Sequence, residues 1–243
     1  MRTLADGLCE AGYVVDIVDM RGHGRSDWAS DYSMMRLATD VVRLAGASAL
    51  IRAVVGSSNG GNAALAASPH PRFREQVGAL VLIDVTPTPG PEAEEIVAFV
   101  MENVEGFDSV ERAASRLARH RSDGTLPDPQ RLAPRMIQLG GRWHLPWDPA
   151  VVTSDTGPAR GRHRDLLEDA ARSRQGPLLL VRGELSRMVE DAAVERLSSL
   201  APQLESATVA GVGHLVSRTN GALWPAPILR FLQQHVGDTE QLL

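Results

Sequence analysis

The chain has 243 residues, 43% of them hydrophobic, which suits one α/β domain carrying an insertion and excludes the disordered and fibrous classes. Its 25 basic and 30 acidic side chains give a net charge of −5 and no basic stripe for a phosphate backbone, so nucleic acid is not an expected partner. Every basic residue is arginine; with no lysine amine, Schiff-base, pyridoxal phosphate and Walker-type phosphate chemistry are all excluded.

The N-terminal stretch MRTLADGLCEAGY has no apolar run of signal-peptide length, and nowhere do eighteen apolar residues follow one another. The expectation is a cytoplasmic protein without a membrane partner. Leu4, Leu8 and Cys9 mark a first helix, ended by Gly12. Cys9 is the single cysteine, which excludes an intrachain disulfide or a cysteine-rich metal site, and a buried structural thiol is expected.

Apolar runs at 13–20, 53–56, 79–84, 177–182 and 206–210 then read as strands with helices between them, one of them capped by Ser33 and running through Leu37, Val41 and Leu44. This alternation predicts an α/β fold, a mostly parallel sheet with helices on both faces. Between 87 and 174 the strands stop and amphipathic helices take over at 92–104, 109–121 and 166–174, the second with an Asp108/Glu111 capping box. The expected organisation is a core made of 1–86 and 175–243 with a helical cap at 87–174. Inside the cap, GGRWHLPWDP brings Trp143 and Trp147 together in a Pro- and Gly-rich segment, either lining a substrate pocket or simply packing under a lid.

Residues 54–65, VVGSSNGGNAAL, carry the chemistry: a short strand, a sharp turn and a small-residue helix, with Gly56-Ser57-Ser58-Asn59-Gly60 fitting G-x-S-x-G. Glycines two before and two after Ser58 let strand and helix approach closely, holding the serine on a strained turn with its hydroxyl exposed. The helix N-terminus beneath offers free N–H groups, and the amide of Asn59 is the first candidate to hold an oxyanion.

With this motif, DMRGHGRSDW (19–28), ALVLIDVTP, GRWHLPWDP, LLLVRG and AGVGH occur in an order that resembles the α/β-hydrolase family over nearly the whole chain. The likeness is to its capped branch of non-haem haloperoxidases, epoxide-hydrolase-like proteins and esterases. The resemblance implies that Ser58 is the nucleophile and that His214, in the loop after the last strand, is the general base. It also implies a small-molecule substrate and no cofactor or metal. Serine at the elbow, in place of aspartate, and a cap without tyrosine disfavour epoxide hydrolysis and dehalogenation.

Two departures stand out. Members of this family have three strands and a His-Gly or Gly-Gly loop ahead of the helix on which this chain starts, and that loop donates an oxyanion N–H. A sheet of about five strands in sequential order is therefore expected, with a gap or forced pairing between 13–20 and 53–56. The family's acid follows a serine after the penultimate strand, and RGELSRMV puts Arg187 there, a cation that would oppose an imidazolium. Asp84, at the end of the neighbouring strand, is one replacement; Glu184, Glu190 or Asp191 are others, and an absent acid is the third possibility. The two functional readings are a serine hydrolase of small, mainly apolar esters or related acyl compounds, and a catalytically impaired remnant or non-catalytic binding scaffold.

Overall fold

In the computed structural model, which describes residues 2–47, 51–119, 126–153, 158–214 and 225–237, helices α1 (Arg2–Glu10) and α2 (Met34–Ala45) lead into strand β1 (Ile51–Ser57). Helices α3 (Asn59–Ala67) and α4 (Pro71–Gln76) follow, and then β2 (Val77–Ile83). The insertion holds α5 (Glu92–Glu102), α6 (Val110–Ala118), α7 (Pro129–Leu132), a hairpin of β3 (Ile137–Leu139) and β4 (Arg142–His144), and α8 (Ala150–Thr153). The chain returns to the sheet through α9 (Pro158–Ser173), β5 (Leu178–Gly183), α10 (Asp191–Leu200), β6 (Leu204–Val209) and α11 (Pro225–Val236).

Strands β1, β2, β5 and β6 form one wholly parallel sheet in sequential order. Alternation along a strand sends Leu80, Leu82, Leu178 and Leu180 to one face, against Leu37, Leu65, Phe73, Leu167 and Leu197. Ala79, Val81, Ile83, Leu179 and Val181 go to the other, against Leu4, Leu8, Ile228, Phe231 and Leu232. Both faces of β2 and β5 are thus covered by helices, which is why their sequences are continuously apolar. Each leucine so buried contributes roughly 1.5–3 kcal/mol of transfer free energy.

Four strands are found where five were expected. Residues 13–20 form no regular secondary structure and pair with no strand among the described residues. Tyr13 and Val15 still lean on the core, while Val14 is 97% exposed and Ile17 and Val18 face solvent. A parallel strand exists only through its hydrogen-bonded neighbours, and an apolar pattern without them stays open chain. β1 is correspondingly an edge strand, bonded to β2 alone among the described residues.

Three smaller expectations also change. Cys9 is exposed on α1 and not buried. The insertion is not purely helical, since β3 and β4 pair antiparallel across Gly140 and Gly141. Helix α6 is capped by Ser109, whose hydroxyl accepts the Arg112 N–H at 3.1 Å, while Asp108 turns to Arg142. The end of that helix as read from sequence, at 121, lies outside the described residues. Ser33 occupies the N-cap of α2 but makes no side-chain capping bond.

The cap has its own core of Phe99, Val100, Phe107, Val110, Ala113 and Met136. Residues 146–148 dock it on the turn after residue 20. Gly24 N–H donates to Pro146 O and Asp148 N–H to Gly22 O, both at 2.7 Å, with His23 and Trp147 bridged antiparallel between them. The Tyr32 hydroxyl closes the clasp, accepting from Ala29 N–H at 2.7 Å and donating to Asp148 Oδ2 at 2.6 Å. Burial and the Asp148 carboxylate hold the Tyr32 phenol above its ordinary range. Helix α9, by contrast, sends Leu167, Ala170 and Ala171 into the main core.

Candidate active site

Ser58 stands at the junction of β1 and α3, with φ 50° and ψ −125°. Backbone in this left-handed region is unfavourable for a non-glycine residue and is held here by its surroundings. The Ser58 N–H donates to Ile83 O at 3.0 Å, tying the turn to β2, and its carbonyl accepts from Gly61 and Asn62. A Cβ on Gly56 would lie 2.5 Å from the Gly61 Cα, and one on Gly61 would meet Val85 and the Gly56 carbonyl. The close approach of strand and helix therefore needs Gly56 and Gly61. Gly60, the motif's second glycine, has only the end of the Met20 side chain nearby, at 3.4 Å.

Opposite the serine, Gly211 and the bond from Leu185 N–H to Val212 O shape the loop that carries His214. The Ser58 Oγ lies 3.2 Å from His214 Nε2. On the far side of the ring, Nδ1 is 2.8 Å from Asp84 Oδ2. With the ring proton on Nδ1, the imidazole donates to the carboxylate and presents a free lone pair to the serine hydroxyl. Asp84 is fully buried at the end of β2, and with φ 52° it joins Ser58 as the only non-glycine residues of positive φ among those described. Its Oδ1 accepts the Gly183 N–H at 3.2 Å, and its Oδ2 also accepts the Ser186 hydroxyl at 2.6 Å. Three donors thus converge on one buried carboxylate, which offsets the cost of desolvating it.

Two of the other carboxylates weighed for this role, Glu184 and Asp191, are engaged elsewhere. Glu184 accepts the Gly211 N–H at 2.8 Å and so braces the histidine loop. Glu190 is the N-cap residue of α10, and Asp191 pairs with Arg182. Arg187 turns away to the cap: its guanidinium bonds Glu95 and its backbone N–H donates to Glu92 Oε2 at 2.9 Å.

Asn59 opens α3, where a backbone N–H has no intrahelical acceptor, and lies next to the serine. Trp143 and Trp147 are both half-buried against the cap core. Trp143 pairs with Phe107 through two backbone bonds. Trp147 lines a small cavity of about 20 Å³ with Phe99, Val100, Phe107 and His144, room for about one water molecule. Sequence reasoning did not find Gly61, Gly183 or Ser186. A second glycine after G-x-S-x-G was the available signal for Gly61, but Ser186 becomes visible only once β5 is placed beside β2.

Residues 1–220 match the α/β-hydrolase-fold family, and the chain belongs to that family. It is 31% identical over 222 residues to a 2-(acetamidomethylene)succinate hydrolase of Mesorhizobium japonicum, covering 88% of this chain and 77% of that protein. It is 28% identical over 233 residues to a 3-hydroxybutyrate-oligomer hydrolase of Cupriavidus necator, covering 87% and 76%. The crystal structure of an E-2-(acetamidomethylene)succinate hydrolase superposes with a TM-score of 0.73 at 24% identity, covering 96% of this chain and 86% of that one. The chain is thus an enzyme of the α/β-hydrolase class with a small-molecule substrate. Among the described residues no helix is long and apolar enough to cross a membrane.

Proposed function

We propose that the chain is a cofactor-free serine hydrolase that cleaves small, mainly apolar esters or related acyl compounds through an acyl-enzyme. The observation that carries this reading is the unbroken row Ser58 Oγ, His214 and Asp84, at 3.2 and 2.8 Å, behind a strained strand-to-helix turn. In this reading His214 takes the Ser58 proton as the hydroxyl attacks the acyl carbon and returns it to the leaving group. Asp84 orients the ring and stabilises the imidazolium, and the Asn59 N–H holds the oxyanion. The acyl-enzyme is then hydrolysed by water activated by the same histidine. The cap ahead of α9 acts as the lid, with Trp143 and Trp147 setting the shape of its substrate side.

The two curated relatives support the acyl class: one is named for an acetamido compound and the other for 3-hydroxybutyrate oligomers. The test is hydrolysis of p-nitrophenyl acetate and butyrate together with labelling by a fluorophosphonate. Turnover and stoichiometric labelling that both vanish in Ser58→Ala are expected. A folded chain that neither hydrolyses nor labels overturns the reading and favours a non-catalytic scaffold.

A further inference from the structure

We propose that Ser186 is a positioning residue for Asp84, fastening the carboxylate that faces His214 to the loop that docks the cap. The assignment rests on the proposed hydrolase site for its consequence in turnover, but its geometry stands apart from it. The Ser186 hydroxyl donates to Asp84 Oδ2 at 2.6 Å, the same oxygen that lies 2.8 Å from His214 Nδ1. The hydroxyl oxygen in turn accepts the Met188 N–H at 3.1 Å, so its own direction is set. Met188 and Val189 are buried in the main core, and Gly90 N–H donates to Met188 O at 2.8 Å. Arg187, between these residues, is held to Glu92 and Glu95 of α5. The loop therefore meets the buried carboxylate on one side and the cap's first helix on the other, with Ser186 as its contact to Asp84.

Two consequences follow from hydrogen-bond chemistry. First, two donors on one carboxylate oxygen share its electron density, so each bond is weaker than it would be alone. Removing the Ser186 hydroxyl strengthens the bond from His214 Nδ1–H. Second, Asp84 sits in a strained backbone conformation, with φ 52°. Gly183 N–H alone then restrains its carboxylate besides the histidine, and the imidazole loses its fixed aim at Ser58.

The experiment compares the full chain with Ser186→Ala and Ser186→Thr by two readouts. The low-field proton resonance of His214 Nδ1–H, assigned by its loss in His214→Gln, is read by NMR without any substrate. It is expected to move further downfield in Ser186→Ala and to return toward its original position in Ser186→Thr, which keeps a hydroxyl. Hydrolysis of p-nitrophenyl butyrate is expected to show kcat lowered about tenfold in Ser186→Ala with KM within about twofold, and partial recovery in Ser186→Thr. An unmoved resonance in a folded Ser186→Ala protein overturns the positioning role, whether or not the chain turns over. A resonance that moves as expected in a chain without esterase activity upholds the contact and counts against the hydrolase reading instead.

Discussion

Ser58 and Asp84 share an uncommon property, a positive φ on a residue with a side chain, and the same imidazole lies against both. Backbone strain persists where surrounding structure over-determines it, and here the two strained positions are the two whose side chains lie against His214. Asp84→Asn is expected to lower kcat about ten-thousandfold, because an amide that donates to the ring favours the wrong tautomer. Ester hydrolysis at saturating substrate, with circular dichroism as the folding control, measures this. Arg187→Asp is expected to bring no gain in turnover, since the guanidinium already faces Glu95 and not the histidine. Its effect should instead appear as faster proteolytic cleavage within residues 87–174, where one tie between loop and cap is lost. A severalfold rise in kcat for Arg187→Asp would mean that the acid is incomplete as it stands.

At the scale of elements, the approach of β1 to α3 sets the site, and it depends on glycine at two positions. Gly56→Ala is expected to cost about 3 kcal/mol or more in urea unfolding, because the added carbon meets backbone at 2.5 Å and backbone cannot step aside. Gly60→Ala, where the nearest atom is a methionine sulfur at 3.4 Å, should change stability by less than about 1 kcal/mol. A second contrast lies between α9 and α10. Glu168 is buried and receives Arg196 and Arg172, and the bond to Arg196 holds its carboxyl below the ordinary glutamate range. The folded state releases this proton at a lower pH than the unfolded chain does. The pair's stabilisation is therefore present above the unfolded value near 4.5 and is lost as pH falls through the lower, folded one. Thermal melts between pH 7 and pH 3 should show a shallower fall for Glu168→Gln than for the parent chain.

The sheet ends in β6 on one side and in β1 on the other, each bonded to a single strand among the described residues, and residues 13–20 pair with no strand, with Val14, Ile17 and Val18 exposed. Unpaired backbone next to apolar side chains is a template for another strand. Sedimentation should show association that grows with concentration, and Val14→Lys with Ile17→Lys should reduce it. A strictly monomeric parent chain across the micromolar range would contradict this.

Much of the fold was legible because it is written in local patterns. The strands of the sheet, their parallel arrangement and the helices between them follow from short apolar runs alternating with amphipathic ones, and the glycine spacing around Ser58 marked the strand-to-helix turn on which it sits. His214 needed the order of motifs along the chain, since a histidine after two glycines carries no local signature of catalysis. What the sequence by itself could not decide was pairing across space. Residues 13–20 have a strand's pattern without a strand's partner, and hydrogen bonding between neighbours, not propensity, makes a parallel strand. The carboxylate facing His214 was open among Asp84, Glu184, Glu190, Asp191 and no acid at all, because each of the four lies at or shortly after the end of a sheet strand. Only the register of β2 against β5 brings Asp84 beneath the imidazole, with Gly183 and Ser186 donating to it, and sends Arg187 outward to the cap.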